Sequence, residues 1–97
     1  MTEVRWTEQA VDNLAAIKAF IGQDSPAYAL AVVGRLYQAV GQLARFPDSG
    51  RMVPEQGRPE IREIIRPPYR IVYRRRPEVV EVLLVFRSSL PLPRMPE

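Results

Sequence analysis

Apolar and polar positions follow two periods along this chain, and the change from one to the other divides it. Val4 and Trp6 flank Arg5, the alternation of a short strand. After it, Val11, Leu14, Ile17 and Ile21 recur at helical spacing with Asp12, Asn13 and Lys18 between them, predicting a helix over about 8–22. Thr7 is placed to cap it, and Glu8 puts a negative charge in its first turn. Gly22 ends the pattern and Asp24-Ser25-Pro26 restarts it, with Ser25 as cap and Pro26 at the first helical position. Ala29, Val32, Val33, Leu36, Tyr37, Val40, Leu43 and Ala44 then form one wide stripe, a second helix over about 26–45. So short a connection folds the two helices into an antiparallel hairpin.

From Phe46 the punctuation changes. Phe46-Pro47-Asp48-Ser49-Gly50 is turn chemistry, and 51–59, with two prolines and a glycine, reads as irregular loop. Strands follow at 61–66, 69–75 and 79–86, separated by Pro67-Pro68 and Pro77-Glu78. Seven of the eight residues from Val79 to Phe86 are apolar, so this strand belongs inside the sheet. The turns are too short for crossovers, which makes these strands antiparallel. The order is β-α-α-β-β-β. The fold expected is α+β, a two-helix antiparallel hairpin packed on an antiparallel sheet, in one domain over 1–97 with 88–97 as an extended proline-rich tail.

Charge sharpens this picture. Net charge is +3, but the first 48 residues carry four basic and five acidic side chains, whereas residues 49–97 carry ten arginines and six glutamates. The strand half is the basic half, and its cations are all arginine, whose planar fork suits carboxylates and phosphates. Cysteine and histidine are both absent. That removes disulfides, thiolate nucleophiles and the commonest proton shuttle near neutral pH, and no metal or other cofactor is expected. The apolar runs are too short for a membrane span and the first residues lack a signal-peptide pattern, so a cytoplasmic location without membrane partners is expected.

Each notable residue also has a structural reading. Arg62 and Glu63 point to opposite faces, and Arg62 or Arg70 would pair with Glu81 across the sheet. Gly50-Arg51 reads as a turn in which Gly50 takes a positive φ and Arg51 anchors the loop to a carboxylate. Arg74-Arg75-Arg76 is a solvated edge or a phosphate-binding patch. Tyr69 and Tyr73 share one face and pack in the core with their hydroxyls at the rim. Trp6 is expected in the core, and Leu36, Val40 and Leu43 on the sheet.

Trp6 before a capped helix, FPDSGRMVPE at 46–55, IREII at 61–65 and YRIVYR at 69–74, in this order, resemble the RelE/ParE superfamily, the toxin halves of type II toxin–antitoxin pairs. The resemblance covers nearly the whole chain and implies a cognate antitoxin with an acidic, partly disordered C-terminal segment. RelE-like members cut messenger RNA on the ribosome; ParE-like members inhibit DNA gyrase. RNA cleavage needs a base, and arginine cannot accept a proton. Glu63 or Glu81 would have to serve, beside arginines that keep them as ion-paired carboxylates. After the last strand the chain reads Phe86-Arg87-Ser88-Ser89, which departs from the nuclease pattern and also from the basic, histidine-containing segment of many ParE-like relatives. The resemblance therefore implies a ParE-like gyrase inhibitor with no catalytic residue. Partner contacts are expected at Arg62, Arg70, Arg74 and Arg87, without sequence-specific nucleic-acid binding. The alternatives are a RelE-like endonuclease using Arg62, Arg70 and Arg87 with Glu63 as base, and an inactive member that binds an antitoxin alone.

Overall fold

The computed structural model describes residues 1–96; Glu97, the last residue of the expected tail, lies outside them. The elements are β1 (Glu3–Trp6), α1 (Glu8–Gly22), α2 (Pro26–Gly41) continued by a 3₁₀ turn (Gln42–Ala44), β2 (Arg51–Met52), β3 (Ile61–Arg66), β4 (Tyr69–Arg75) and β5 (Val79–Arg87). Both helix starts use the expected caps. Thr7 Oγ1 accepts from the Ala10 amide at 3.2 Å and donates to the Val82 carbonyl at 2.7 Å, so one hydroxyl caps α1 and ties it to β5. Ser25 Oγ accepts from the Tyr28 amide at 3.1 Å.

The five strands form one sheet in the order β1-β5-β4-β3-β2. The C-terminal strands are antiparallel as expected, but the sheet is mixed, because β1 lies parallel to β5 with Trp6 opposite Val82. The chain leaves β1 through the helix hairpin and reaches β5 only at its end, a crossover that permits parallel pairing. The very short β2, inside the segment expected as loop, adds a further edge strand to β3. On the β4–β5 ladder Val72 faces Leu84 while Tyr73 faces Val82, so Leu83 is the extra residue of a bulge.

The apolar core is divided between the two sides of the sheet. On the helix side, Ala10, Val32, Leu36, Val40 and Leu43 meet Ile64, Tyr69, Ile71, Tyr73, Val82 and Val85. Trp6 is only partly buried at the margin, its ring stacked on Tyr37 at 5.9 Å. On the outer side, Val53, Ile61, Val72, Leu83, Leu84 and Phe86 form a second cluster without a helix residue, and Leu92 and Met95 of the tail pack over it. The expected extended tail is thus a cover for the outer face of the sheet.

Two local expectations are corrected. Gly50 has no positive φ; among the described residues only Gly57 does, at 61°. Glycine is required at 50 because a Cβ would lie 2.6 Å from the Glu63 carbonyl and 2.7 Å from the Tyr73 hydroxyl. Glu81 takes neither Arg62 nor Arg70. It meets Arg76 at 2.6 Å and Arg74 at 3.8 Å, because Arg74 is its ladder neighbour while Arg62 lies on the opposite face.

Candidate partner-binding surface

The loop from Pro47 to Glu55 is latched to the sheet by polar side chains of β3 and β4. The Tyr73 hydroxyl, fully buried rather than at the rim, donates to the Pro47 carbonyl at 2.8 Å and accepts from the Gly50 amide at 3.0 Å. Burial pushes its pKa up, opposed by the Gly50 hydrogen bond. Arg62 donates to the Gly50 carbonyl at 2.8 Å. Arg51 anchors the loop as expected, its Nε donating to Glu63 Oε2 at 2.6 Å.

Glu63 is the hub of this latch. It is 1% exposed, and its second oxygen accepts from Arg70 Nε at 2.7 Å. The outer fork of Arg70 grips Glu55 bidentately at 3.0 and 3.1 Å, and its guanidinium lies 5.1 Å from the centre of the Phe86 ring. The hydrogen bonds to Glu55 raise the Arg70 pKa, and those from Arg70 lower that of Glu55. The GRMVPE and YRIVYR segments are therefore two halves of one structural clasp. Both oxygens of the carboxylate considered as a base are occupied by guanidinium N–H groups.

The four arginines expected at the partner surface are not brought together. Directly opposed ladder residues share a face. Arg62, opposite Tyr73, and Arg87, opposite Tyr69, lie on the helix side. Arg70, opposite Phe86, and Arg74, opposite Glu81, lie on the outer side. Arg70 is buried in the clasp, Arg74 is mostly covered beside Glu81, and Arg62 is spent on the Gly50 carbonyl. Arg87 alone of the four is exposed with no carboxylate within ion-pair distance among the described residues, its guanidinium 6.0 Å from the Tyr69 ring centre.

The run Arg74-Arg75-Arg76 is an ion-paired edge, Arg74 and Arg76 sharing Glu81 and Arg75 meeting Asp48 at 3.0 Å. Two arginines outside the expected set, Arg35 of α2 and Arg66 of β3, line an open hollow of about 220 Å³ with Val32, Leu36, Pro67, Pro68 and Tyr69. Tyr69 stands between Arg66 on β3 and Arg87 on β5, so two exposed arginines without a carboxylate partner among the described residues flank it. Arg66 carried a sequence signal, the last strand residue before the Pro67-Pro68 turn; Arg35 carried none.

Phe20, Tyr28, Leu30 and Tyr37 on the hairpin, and Phe46 after it, are each more than half exposed. No group of His, Cys, Asp or Glu side chains among the described residues is arranged to hold a metal ion, and no helix is long and apolar enough to cross a membrane.

Toxin RelE2 of Caulobacter vibrioides is 39% identical over 74 residues, covering 75% of this chain and 80% of that protein. The protein Y4kP of Sinorhizobium fredii is 38% identical over 95 residues, covering 95% and 94% respectively. A structure of the chromosomal ParDE toxin–antitoxin system from P. aeruginosa superposes with a TM-score of 0.72 over 90% of this chain and 96% of that one, at 24% identity, which establishes the shared fold. Residues 4–89 match the family of ParE toxins of type II toxin–antitoxin systems, parDE, and the chain belongs to that family.

Proposed function

We propose that this ParE-family toxin arrests growth by binding DNA gyrase and holding it in a DNA-cleaved state, and that a cognate antitoxin neutralises it in the cytoplasm. The observation that carries a binding rather than a catalytic role is the closed clasp at Glu63. A carboxylate 1% exposed and held as an anion by two guanidiniums is out of reach of a ribose hydroxyl, and removing that proton requires contact with it. Arginine cannot replace it.

The antitoxin is supported by what the fold leaves uncovered. Large apolar side chains stand exposed along the hairpin, and β2 pairs with Arg62 and Glu63, so that among the described residues the outer edge of β3 has no strand partner at 64–66. An amphipathic helix suits the first surface and an extended strand the second. The basic strand half suits an acidic segment.

The name of the RelE2 relative favours a second reading, ribosome-dependent messenger cleavage. One pair of assays separates the two. With purified gyrase and plasmid, the toxin is expected to accumulate linear DNA and block supercoiling, while messenger on programmed ribosomes stays intact. Site-specific messenger cuts with unaffected gyrase would replace the first reading by the second. Silence in both leaves a protein that only binds its antitoxin.

A further inference from the structure

We propose that the hollow around Tyr69, lined by Arg35 and Arg66 and flanked by Arg87 beside the Tyr69 ring, is a binding site for the phosphodiester backbone of duplex DNA. Most sheet arginines are already neutralised. Arg70 is held by Glu55 and Glu63, Arg74 by Glu81 and Arg75 by Asp48, while Arg62 is tied to a loop carbonyl. Arg66 and Arg87 are the exceptions, and both stand on the helix face as the two ladder neighbours of Tyr69. Arg35 reaches the same hollow from α2. Two exposed arginines from two elements thus line the hollow and a third, Arg87 of β5, lies beside it, its guanidinium 6.0 Å from the Tyr69 ring centre; among the described residues no carboxylate lines it. Uncompensated like charge of this kind is a cost unless an anion joins it.

The spacing favours a row of phosphates over one carboxylate. Arg66 and Arg87 are separated by two inter-strand steps, about 10 Å. Two arginines whose strands lie that far apart can engage separate phosphates of one backbone, whereas a single carboxylate cannot reach both. The protein's own carboxylate sites employ one or two guanidiniums each, as at Glu55 and Glu63. Arg66 bonds only its neighbour's carbonyl, at 3.0 Å, which leaves most of its fork free. Contacts of this kind position a protein on DNA without reading sequence. The consequence for gyrase rests on the reading above: a toxin seated on the enzyme would also hold the DNA that the enzyme has cut.

The test needs no gyrase, so its outcome is independent of the target assignment. A labelled 20-base-pair duplex is titrated with the free protein between 50 and 200 mM salt and followed by fluorescence anisotropy. Salt-dependent binding is expected. The R66A/R87A double variant should reduce the slope of log affinity against log salt by about 2 and weaken binding at least about tenfold at the low-salt end. R35A should reduce the slope by about 1. An R58A/R76A variant, at the opposite end of the sheet, should change neither, and thermal melts identify any variant that has lost its fold. Absence of duplex binding at 50 mM salt would overturn the proposal. So would equal losses in R58A/R76A, tighter binding of a single-stranded RNA of the same length, or uptake of an oligoglutamate peptide in preference to the duplex.

Discussion

Arg70 donates from Nε to Glu63 at 2.7 Å while its two terminal nitrogens hold Glu55 at 3.0 and 3.1 Å, so one guanidinium joins β4 to β3 and to the preceding loop. This pairing decides how the most characteristic stretches of the sequence are used. Their arginines and glutamates latch the loop to the sheet, and the exposed Arg66 and Arg87 lie outside that latch.

Substitution E63Q tests the clasp directly. It removes the charge that Arg51 and Arg70 converge on, leaving the nearly buried Arg70 short of a partner. Breaking a buried pair from one side costs about 3 kcal/mol, and the exposed position of Arg51 keeps the loss toward that lower end. Urea denaturation should show this loss. A catalytic Glu63 would give the opposite pattern, lost activity at unchanged stability.

Two glycine substitutions separate two reasons for glycine. G50A drives a Cβ into the Glu63 carbonyl and the Tyr73 hydroxyl and should cost about 2 kcal/mol through overpacking of the loop. At Gly57 there is open space, but φ is 61°, so G57A should cost about 1 kcal/mol from backbone strain alone. Thermal melts of the two variants should rank in that order.

The secondary structure was legible because each helix and long strand has its own period and its own stops: Thr7, Ser25 and Pro26 at helix starts, Gly22 at an end, paired prolines between strands. Two things were not legible. Parallel pairing of β1 with β5 joins residues more than 70 positions apart, and nothing local in Val4 to Trp6 encodes the direction of the neighbour. The face of each arginine was also hidden. Arg62, Arg66, Arg70 and Arg74 fall at even spacing, which suggests one common row. The turn at Pro67-Pro68 pairs Arg66 with Tyr69, so even positions of β3 share a face with odd positions of β4. Register across a turn assigns every side chain of the second strand to its face. Hence the basic row divides, and Arg66 and Arg87 come to flank Tyr69 on the helix side.

Tyr73 supplies a pH prediction. Its folded pKa is raised above the ordinary 10.0 by burial, so the folded state holds this proton more tightly than the unfolded chain does. The resulting stability is fully present below pH 10 and is lost as pH rises through the folded value. Stability measured from pH 9 upward should therefore fall for the wild type, and Y73F should remove that component of the decline. At neutral pH Y73F should cost about 1–2 kcal/mol, because the Gly50 amide and the Pro47 carbonyl lose their partner.

The tail makes its contribution through two side chains. Leu92 and Met95 are half-buried against Ile61, Val72, Leu84 and Phe86 on a face that no helix covers. Replacing both by alanine should lower stability by about 2 kcal/mol, in proportion to the apolar area returned to water. Unchanged denaturant midpoints in L92A/M95A would show that the outer face does not depend on this cover.

Arg87 and Arg70 should separate surface from scaffold in the cell. The Arg87 side chain is exposed and makes no ion pair among the described residues, its guanidinium lying 6.0 Å from the Tyr69 ring centre, so R87A should leave the melting temperature nearly unchanged. Losing one charge-assisted contact to a partner, about 1.4 kcal/mol, weakens association about tenfold and should reduce growth inhibition at equal protein level. R70A should also reduce growth inhibition, but by destabilising the clasp, with a lower melting temperature and less soluble protein. Colony counts after induction, read beside melting curves of the same variants, distinguish the two effects. Full growth inhibition by R87A at matched expression would remove it from the partner surface.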